Sequence, residues 1–360
     1  MAESSIVVRP EPKDSDSYSA SSRLQGAGLK PAIAVFERAA AAVPLPRPGQ
    51  PIVIADYGAA NGLNSLLPIG AAIAVLRKRT RPEHSVLVAH TDRPDNDFTE
   101  LFHTLENDPD TYLNKDKATF VSAIGRSFYS QILPSDSVHL GWSSWAIDWL
   151  TRVPCGIDGH IHANFCSDEL VRAAYARQGA HDWHEFVAFR GRELSPGGRL
   201  VVMTTAMGDD GDHGFRLLMS ALLDALDELA GSGLLTADEV ARMCIPTVVR
   251  RAADFAAPFA PSGRFERLEI EHLEIFDATD RFWEKYRIDG DARAFGARWA
   301  AFARAALFAS LAHALENRAA ERVGEFFDRL EKGAAERIAA APEQTRIPLA
   351  HVVLFKRPKA

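Results

Sequence analysis

The sequence predicts an α/β protein built on a doubly wound sheet, and three observations carry that expectation. Short, fully apolar runs recur along the first two thirds of the chain, helical-period segments alternate with them, and one block of consecutive helices interrupts the alternation later. Fully apolar strands mark a parallel sheet covered on both faces. Strand–helix alternation winds such a sheet in both directions from its middle. With 360 residues the chain can bury a large core as two domains or as one decorated domain.

Each element follows from its own pattern. Residues 1–16 are polar, charged and proline-bearing, and are expected to form a flexible tail. Residues 24–43 have apolar side chains at helical spacing with Pro31 near the first turn. The proline-rich connector 43–51 leads into the apolar strand 52–56, followed by a helical pattern at 65–79 and a second apolar strand at 85–92. A helix is expected over 98–108, strands over 118–125 and 136–144, a long amphipathic helix over 168–194, a break at Pro196-Gly197-Gly198, and a buried strand over 199–206. The order then changes. Segments 213–233, 236–244 and 246–259 read as helices without an intervening strand, 265–276 resumes the sheet, 291–340 is alanine-rich helix, and 349–357 closes as a strand. An all-helical insert between two strands lies over the strand ends, where open α/β sheets bind ligands. The expected division is therefore a core of 17–212 and 261–360, with 213–260 as a helical cap.

Composition narrows the function classes. Hydrophobic residues at 47% and charged residues at 25% suit a soluble enzyme. A net charge of −7 speaks against nucleic acid, which needs a clustered basic surface. Cys155, Cys166 and Cys244 are too few for a disulfide framework. No signal-like pattern opens the chain and no run of about 18 apolar residues occurs. These features predict a cytoplasmic protein with no membrane partner.

The stretch "IADYGAANGLNSLLPI" (54–69) is the most pointed local feature. A strand ends on Asp56, and Gly58, Ala59, Ala60 and Gly62 fill the turn after it. Small residues let backbone approach a ligand, although a tight turn and nothing more accounts for the same residues. Asp56 repels phosphate and suits a cationic or hydroxyl-bearing ligand. Asp92 ends the second strand, where a carboxylate commonly holds a ribose diol. G-A-A-N-G fits the dinucleotide fingerprint poorly and better suits a nucleoside carrying positive charge, S-adenosylmethionine.

Larger motifs then occur in a fixed order: "YSASSRLQ" (18–25), "IADYGAANGLNSL" (54–66), "TDRPDNDFTELFHTL" (91–105), "SFYSQILPSDSVHLGWSSWAIDWLTRVP" (127–154) and "GGRLVV" (197–202). Together they resemble the SABATH family, the salicylate, benzoate and theobromine-synthase type methyltransferases, in a non-plant member. "SGLL" (232–235), "IP" (245–246), "FERLEIEHLEIF" (265–276) and "VVLFKR" (352–357) extend the resemblance over nearly the whole chain. It implies a seven-stranded class I methyltransferase sheet with an α-helical cap, a homodimer, and S-adenosylmethionine-dependent methylation of a small carboxylic acid to its methyl ester. Family positions matched for the cofactor are Tyr18, Ser22, Gly58, Asn64, Asp92, Ser127 and Phe128, and Gln25 and Trp149 match the pair that holds the acceptor carboxylate. Trp145 stands where many members have tyrosine, and Met219 falls at a pocket-lining position.

The departures carry information too. Arg93 stands where an apolar residue normally lies beside the adenine. Asp148 occupies a pocket-facing position usually held by histidine or methionine, where a carboxylate disfavours salicylate-like acids and suits an acceptor hydroxyl or amine. The family's metal-binding asparagine segment reads "IDGH" (157–160) here, so no metal is expected. Cys155, His160, His162 and Cys166 are competent zinc ligands, but C-x4-H-x-H-x3-C matches no common zinc spacing. "HDWH" (181–184) reads as a solvated helix face.

The chemistry stands beside the resemblance. A carboxylate, with an ordinary pKa of about 4, needs no general base. Positioning the reacting atoms in line can contribute about 7–11 kcal/mol. Gln25 and Trp149 offer neutral N–H donors that orient the carboxylate without an ion pair, whereas an arginine would bind the ground state more strongly. Trp145 and Trp149, four apart, also fit two core aromatics on one helical face. The alanine-rich helix 298–315 is apolar around much of its circumference, which suits a dimer interface or burial within the chain. Two other functions fit the pattern: N- or O-methylation of a heterocycle or phenol, and a non-catalytic cofactor-binding protein that acts through its cap.

Overall fold

A computed structural model describes residues 16–358, with side chains from Leu29 onward. Tyr18, Ser22 and Gln25, as side chains, and the expected tail 1–16 up to residue 15 lie outside the described residues. Helix α1 (Asp16–Ala42) precedes β1 (Ile52–Tyr57), α2 (Leu63–Arg77), β2 (Val86–Asp92), α3 (Phe98–Asn107), α4 (Tyr112–Lys115), β3 (Thr119–Gly125) and β4 (Val138–Ser144). Then come α5 (Glu169–Glu193), β5 (Leu194–Thr205), α6 (Arg216–Gly231), α7 (Ala237–Arg242), α8 (Ala252–Ala256) and β6 (Leu268–Asp277). Helices α9 (Arg281–Asp289), α10 (Ala292–Ala306), α11 (Phe308–Ala312) and α12 (Ala320–Ala340) lead to β7 (Pro348–Lys356).

The seven strands lie in the order β3-β2-β1-β4-β5-β7-β6. Strands β1 to β5 run parallel, and β7 pairs antiparallel with both β5 and β6. The doubly wound class I methyltransferase sheet expected from the sequence is therefore present. Alternate strand residues divide between two cores. Ile52, Ile54, Leu140, Trp142, Val201 and Met203 pack under α1, α2 and α10, whereas Ala55, Tyr57, Val138, Leu200 and Val202 face Trp183, Phe186 and Val187 of α5. Chain order reverses between β1 and β4, which opens a crevice at the carboxyl ends of the parallel strands.

Several expectations are corrected. Residues 246–250 are extended, and only α8 and a 3-10 turn (Ala257–Phe259) follow, so the helix expected over 246–259 is largely absent. Thr247, Val248 and Val249 are β-branched and favour extended backbone, and Thr247 and Arg250 bridge to Trp149 and Ala206. The alanine-rich segment is three helices with a further helix, α9, before it. Strand β5 runs through Pro196 to Gly198 instead of starting after them, with a register shift against β4 between Val138 and Leu140. Asp182 and Trp183 of "HDWH" are buried, since Asp182 accepts from Thr151 N at 2.9 Å and Trp183 Nε1 donates to Phe255 O at 3.0 Å. Helix α10 spends its apolar circumference inside the chain: Phe295, Trp299, Ala300 and Ala303 are buried, with α1 on one side and α12 on the other. Burial within the chain accounts for that pattern without a partner subunit.

Candidate active site

Five segments leave the carboxyl ends of β1 to β5 and meet. In the first, Gly58 and Gly62 adopt φ of +87° and +83° and Ala60 φ of +47°, a region where a side chain is strained and glycine is not. A Cβ on Gly58 would lie 2.4 Å from Ala146 Cβ and 3.5 Å from Phe128 Cε1. The glycine there is what lets the turn after β1 touch the segments that follow β3 and β4.

Asp92 at the end of β2 grips this turn. Its Oδ2 accepts from Ala60 N at 2.7 Å and its Oδ1 from Arg93 N at 2.7 Å, while Asn96 Nδ2 donates to Ala60 O at 2.9 Å. Burial raises the Asp92 pKa, and the two main-chain amides offset part of that rise. Arg93 turns back to Asp95, with its Nη2 3.0 Å from Asp95 Oδ2. Asp56 is fully buried and lies 2.7 Å from His90 Nδ1, whose Nε2 is 2.7 Å from Tyr112 Oη. The structure thus gives Asp56 an internal partner that ties β1 to β2. Asn64 sits in the first turn of α2.

The loop after β3 carries Ser127 and Phe128 and is fastened from beneath by a buried ion pair. Arg190 donates to Phe128 O at 2.6 Å, Ser130 O at 2.9 Å and Glu193 Oε1 at 2.9 Å. Glu193 also accepts from Leu133 N at 3.0 Å and from Tyr57 Oη at 2.8 Å. Such a pair is tolerated in a dry interior only when nearly every donor and acceptor is satisfied, as here. One ion pair therefore links the end of β1 to the loop after β3.

The turn after β4 carries Trp145, Asp148 and Trp149. It is not a helix: Trp145 takes φ of +57° and donates its amide to Met203 O at 2.9 Å. The reading of two tryptophans on one helical face is thereby excluded. Extended residues 246–250 clamp the turn, with Leu150 N donating to Pro246 O at 2.8 Å, Val248 N to Asp148 O at 3.0 Å and Arg250 Nη1 to Ile147 O at 2.8 Å. Tyr129 Oη donates to Trp149 O at 2.7 Å and joins this turn to the loop after β3. Trp145 packs against the core that holds Met219 of α6.

Asp148 is the electrostatic oddity of the turn. It is 7% exposed, and its Oδ2 accepts from Thr205 Oγ1 at 3.0 Å, while Oδ1 is buried with no hydrogen-bond partner. Burial pushes its pKa up to about 6, and Thr205, nearby main-chain amides and the Arg250 guanidinium only partly offset this. Trp145 Nε1 and Ser144 Oγ, in the same turn, are also buried without a partner.

The structure therefore brings together Gly58, Asp92, Phe128, Trp145, Asp148 and Trp149 at one edge of the sheet. Sequence reasoning missed Tyr129, Thr205, Arg190, Glu193 and Arg250, which hold that edge in shape. The signal for the ion pair was present as Arg190 and Glu193 three apart at the end of an otherwise apolar helix face. Among the described residues no group of three or more His, Cys, Asp or Glu is placed to hold a metal ion. His162 instead lies 2.9 Å from Thr247 Oγ1, and burial lowers its pKa to about 3.

Residues 7–357 match the family described as SAM-dependent carboxyl methyltransferases. The chain is 29% identical over 255 residues to a salicylate carboxymethyltransferase of Clarkia breweri, covering 67% of each. It is 27% identical over 243 residues to a 3,7-dimethylxanthine N-methyltransferase of Camellia sinensis var. assamica, covering 63% of this chain and 65% of that one. Among solved structures, loganic acid methyltransferase with SAH superposes with a TM-score of 0.78 at 21% identity, over 97% of this chain and 98% of that one, so the fold is shared. The matched segments thus span about two thirds of these curated relatives' length.

The residues present fit the cofactor this family uses. The small-residue turn at 58–62 abuts the carboxylate of Asp92, which takes the Ala60 amide, and neither asks for an anionic ligand. The match across the chain, the sheet order and this crevice together make the chain a member of the S-adenosylmethionine-dependent carboxyl methyltransferase family.

Proposed function

We propose that the chain methylates the carboxylate of a small acid to its methyl ester, with Gln25 and Trp149 orienting the reacting oxygen. When bound, S-adenosylmethionine supplies an electrophilic methyl group on a sulfonium and leaves as the neutral thioether. Around it, Tyr18, Ser22, Gly58, Asn64, Asp92, Arg93, Ser127 and Phe128 form the cofactor side, with Asp56 supporting it from within the sheet. Trp145, Asp148, Trp149 and Met219 form the acceptor side. A carboxylate arrives ionised, so the chain's own task is to hold one oxygen in line and keep water away.

The observation that carries this reading is the contact between Gly58 and Ala146. It brings the turn bearing Trp145 and Trp149 against the glycine turn after β1, which supports a shared acceptor and cofactor site. Trp149 is held at both its carbonyl and its amide, by Tyr129 Oη at 2.7 Å and Ala146 O at 3.3 Å. A held aromatic donor loses little freedom on engaging an anion. A protein that only binds cofactor has no need of such a clamp. The reading of N-methylation keeps one support, since Asp148 suits a donor-bearing ring as well as a donor-bearing acid.

On this reading the chain works in the cytoplasm, in keeping with three free cysteines. Among the described residues no helix is long and apolar enough to cross a membrane. It works as a homodimer, for which the family resemblance is the support now that α10 is covered internally. The test is a methyl-transfer screen over small carboxylic acids, phenols and xanthines. Transfer to acids is expected, and transfer confined to phenols or xanthines would overturn the proposal. Sedimentation at micromolar concentration should give a dimer, and a monomer would remove that part.

A further inference from the structure

The loop between β3 and β4 (126–137) reaches both halves of the proposed site, yet much of its shape is imposed from outside. It closes one turn on itself, with Ser130 N donating to Ser127 O at 3.1 Å. Helix α5 holds it elsewhere. Arg190 Nη1 donates to Phe128 O at 2.6 Å and Nη2 to Ser130 O at 2.9 Å. Glu193 Oε1 accepts from Ile132 N and, at 3.0 Å, from Leu133 N. Two side chains three residues apart on one helix thus fix two carbonyls and two amides of the loop.

Both side chains are fully buried, and taking two charges out of water is costly. An apolar pair would fill the same space but leave those loop groups bare, and buried main-chain donors and acceptors need partners. The pair is tied to β1 as well. Tyr57 Oη donates to Glu193 Oε2 at 2.8 Å, Arg190 Nε donates to the same oxygen at 3.0 Å, and the guanidinium carbon lies 4.3 Å from the Tyr57 ring centroid. Tyr57 immediately precedes Gly58, so the pair sets the loop against the glycine turn. Two neighbouring residues carry that setting outward. The Phe128 ring lies 3.5 Å from where a Cβ on Gly58 would stand, and Tyr129 Oη donates to Trp149 O at 2.7 Å.

We propose that Arg190 and Glu193 are positioning residues for methyl transfer, which act on the cofactor through Phe128 and on the acceptor through Tyr129. This rests on the reading above that Phe128 flanks the cofactor and Trp149 the acceptor, and adds the pair that sets their spacing. In-line transfer depends steeply on that spacing. A guanidinium is suited to the task because its planar fork serves two carbonyls and a carboxylate at once, whereas an ammonium is a point donor.

The experiment compares full-length wild type with Arg190→Lys, Tyr57→Phe and Tyr129→Phe, well below the unfolding temperature of each. Calorimetry reads S-adenosylhomocysteine affinity, and kinetics at saturating S-adenosylmethionine read KM and kcat for the acceptor found in the screen. Arg190→Lys keeps the charge beside Glu193 and should weaken S-adenosylhomocysteine about tenfold. It should also lower acceptor kcat/KM by about ten- to a hundredfold. Tyr57→Phe keeps both ions, serves if lysine is not accommodated, and should weaken S-adenosylhomocysteine about threefold. Tyr129→Phe should leave that affinity near wild type and lower acceptor kcat/KM about tenfold. Because Arg190 reaches the acceptor through Tyr129, the double variant should lose less than the product of the two single losses. A merely structural role lowers the unfolding temperature and leaves the affinity and KM of the folded protein unchanged. That result in Arg190→Lys, or in Tyr57→Phe if the lysine variant does not fold, overturns the proposal, and multiplicative losses in the double variant overturn the route through Tyr129. Transfer confined to phenols or xanthines, or to no acceptor, overturns carboxyl methylation instead, and S-adenosylhomocysteine affinity then decides the positioning role by itself.

Discussion

The cofactor side and the acceptor side of this crevice are built to opposite rules. Over β1 and β2, each buried polar side chain has a partner inside the chain: Asp56 with His90, His90 with Tyr112, Thr91 with Asp56 O at 2.9 Å, and Asp92 with two main-chain amides. Over β4, the turn 144–148 leaves Ser144 Oγ, Trp145 Nε1 and Asp148 Oδ1 buried and unpaired. The first side is finished by the protein itself. The second keeps buried polar atoms that no group of the chain completes. A chain that keeps one donor and changes acceptors across a family gains from that division, because acceptor residues change without disturbing the cofactor turn.

The two sides touch at Gly58, so its replacement should break the comparison most severely. Gly58→Ala puts a side chain at φ of +87° with its Cβ 2.4 Å from Ala146 Cβ. The left-handed backbone and the overlap together should cost about 2–4 kcal/mol of stability, with loss of both cofactor affinity and transfer. Denaturant unfolding and calorimetry check it, and a variant that loses only one of the two functions would show the sides to be independent.

Next come the two donors. Gln25→Met and Trp149→Phe each keep volume and remove an N–H. Because misplacing the reacting oxygen by about 1 Å costs about a hundredfold, kcat/KM should fall by that order with cofactor affinity unchanged. Near-full activity in both would leave the carboxylate clamp without support.

Asp148 gives a pH test of the unfinished side. Its folded pKa of about 6 lies above its ordinary value of about 3.9, so the folded state holds a proton that the unfolded state releases. The cost of the charge is absent below about pH 4, grows between there and pH 6, and is complete above. Asp148→Asn should therefore be more stable than wild type at pH 8, by on the order of 2 to 3 kcal/mol, with the gain vanishing near pH 4. Arg250 and Tyr129 face the same group and do not titrate in that window. Thermal unfolding of both proteins across pH 4–8 measures it, and a pH-independent difference would mean that Asp148 is satisfied in solution.

The smallest effect belongs to the finished side. Asp92→Ala should weaken S-adenosylmethionine binding by about 1–3 kcal/mol, partly through release of Ala60 N. Equal affinity by calorimetry would take Asp92 out of the cofactor site.

These contrasts explain what the sequence made legible. Strand runs such as 52–56 and 85–92 are apolar throughout because both sheet faces are covered, and they were readable to within a residue or two. The turn at 54–66 was readable because small residues leave few alternatives. Segment 246–259 was not, because its apolar spacing suits a helix while its backbone is drawn into extended pairing with Trp149 and Ala206, partners about 98 and 44 residues away. Asp148 was visible as an unusual residue in a known pattern, but only the structure shows that Thr205 takes one oxygen and nothing takes the other. Arg190 and Glu193 look like solvated helix charges until the loop of Phe128 and Ser130 is folded onto them.

The central claim is that a carboxylate oxygen receives the methyl group. The most direct test incubates the protein with methyl-labelled S-adenosylmethionine and the best acid from the screen, then treats the isolated product with alkali. An ester releases its label as volatile methanol, and that is the result expected. A product that keeps its label through alkali would carry the methyl on nitrogen or on a phenolic oxygen, and would contradict the account.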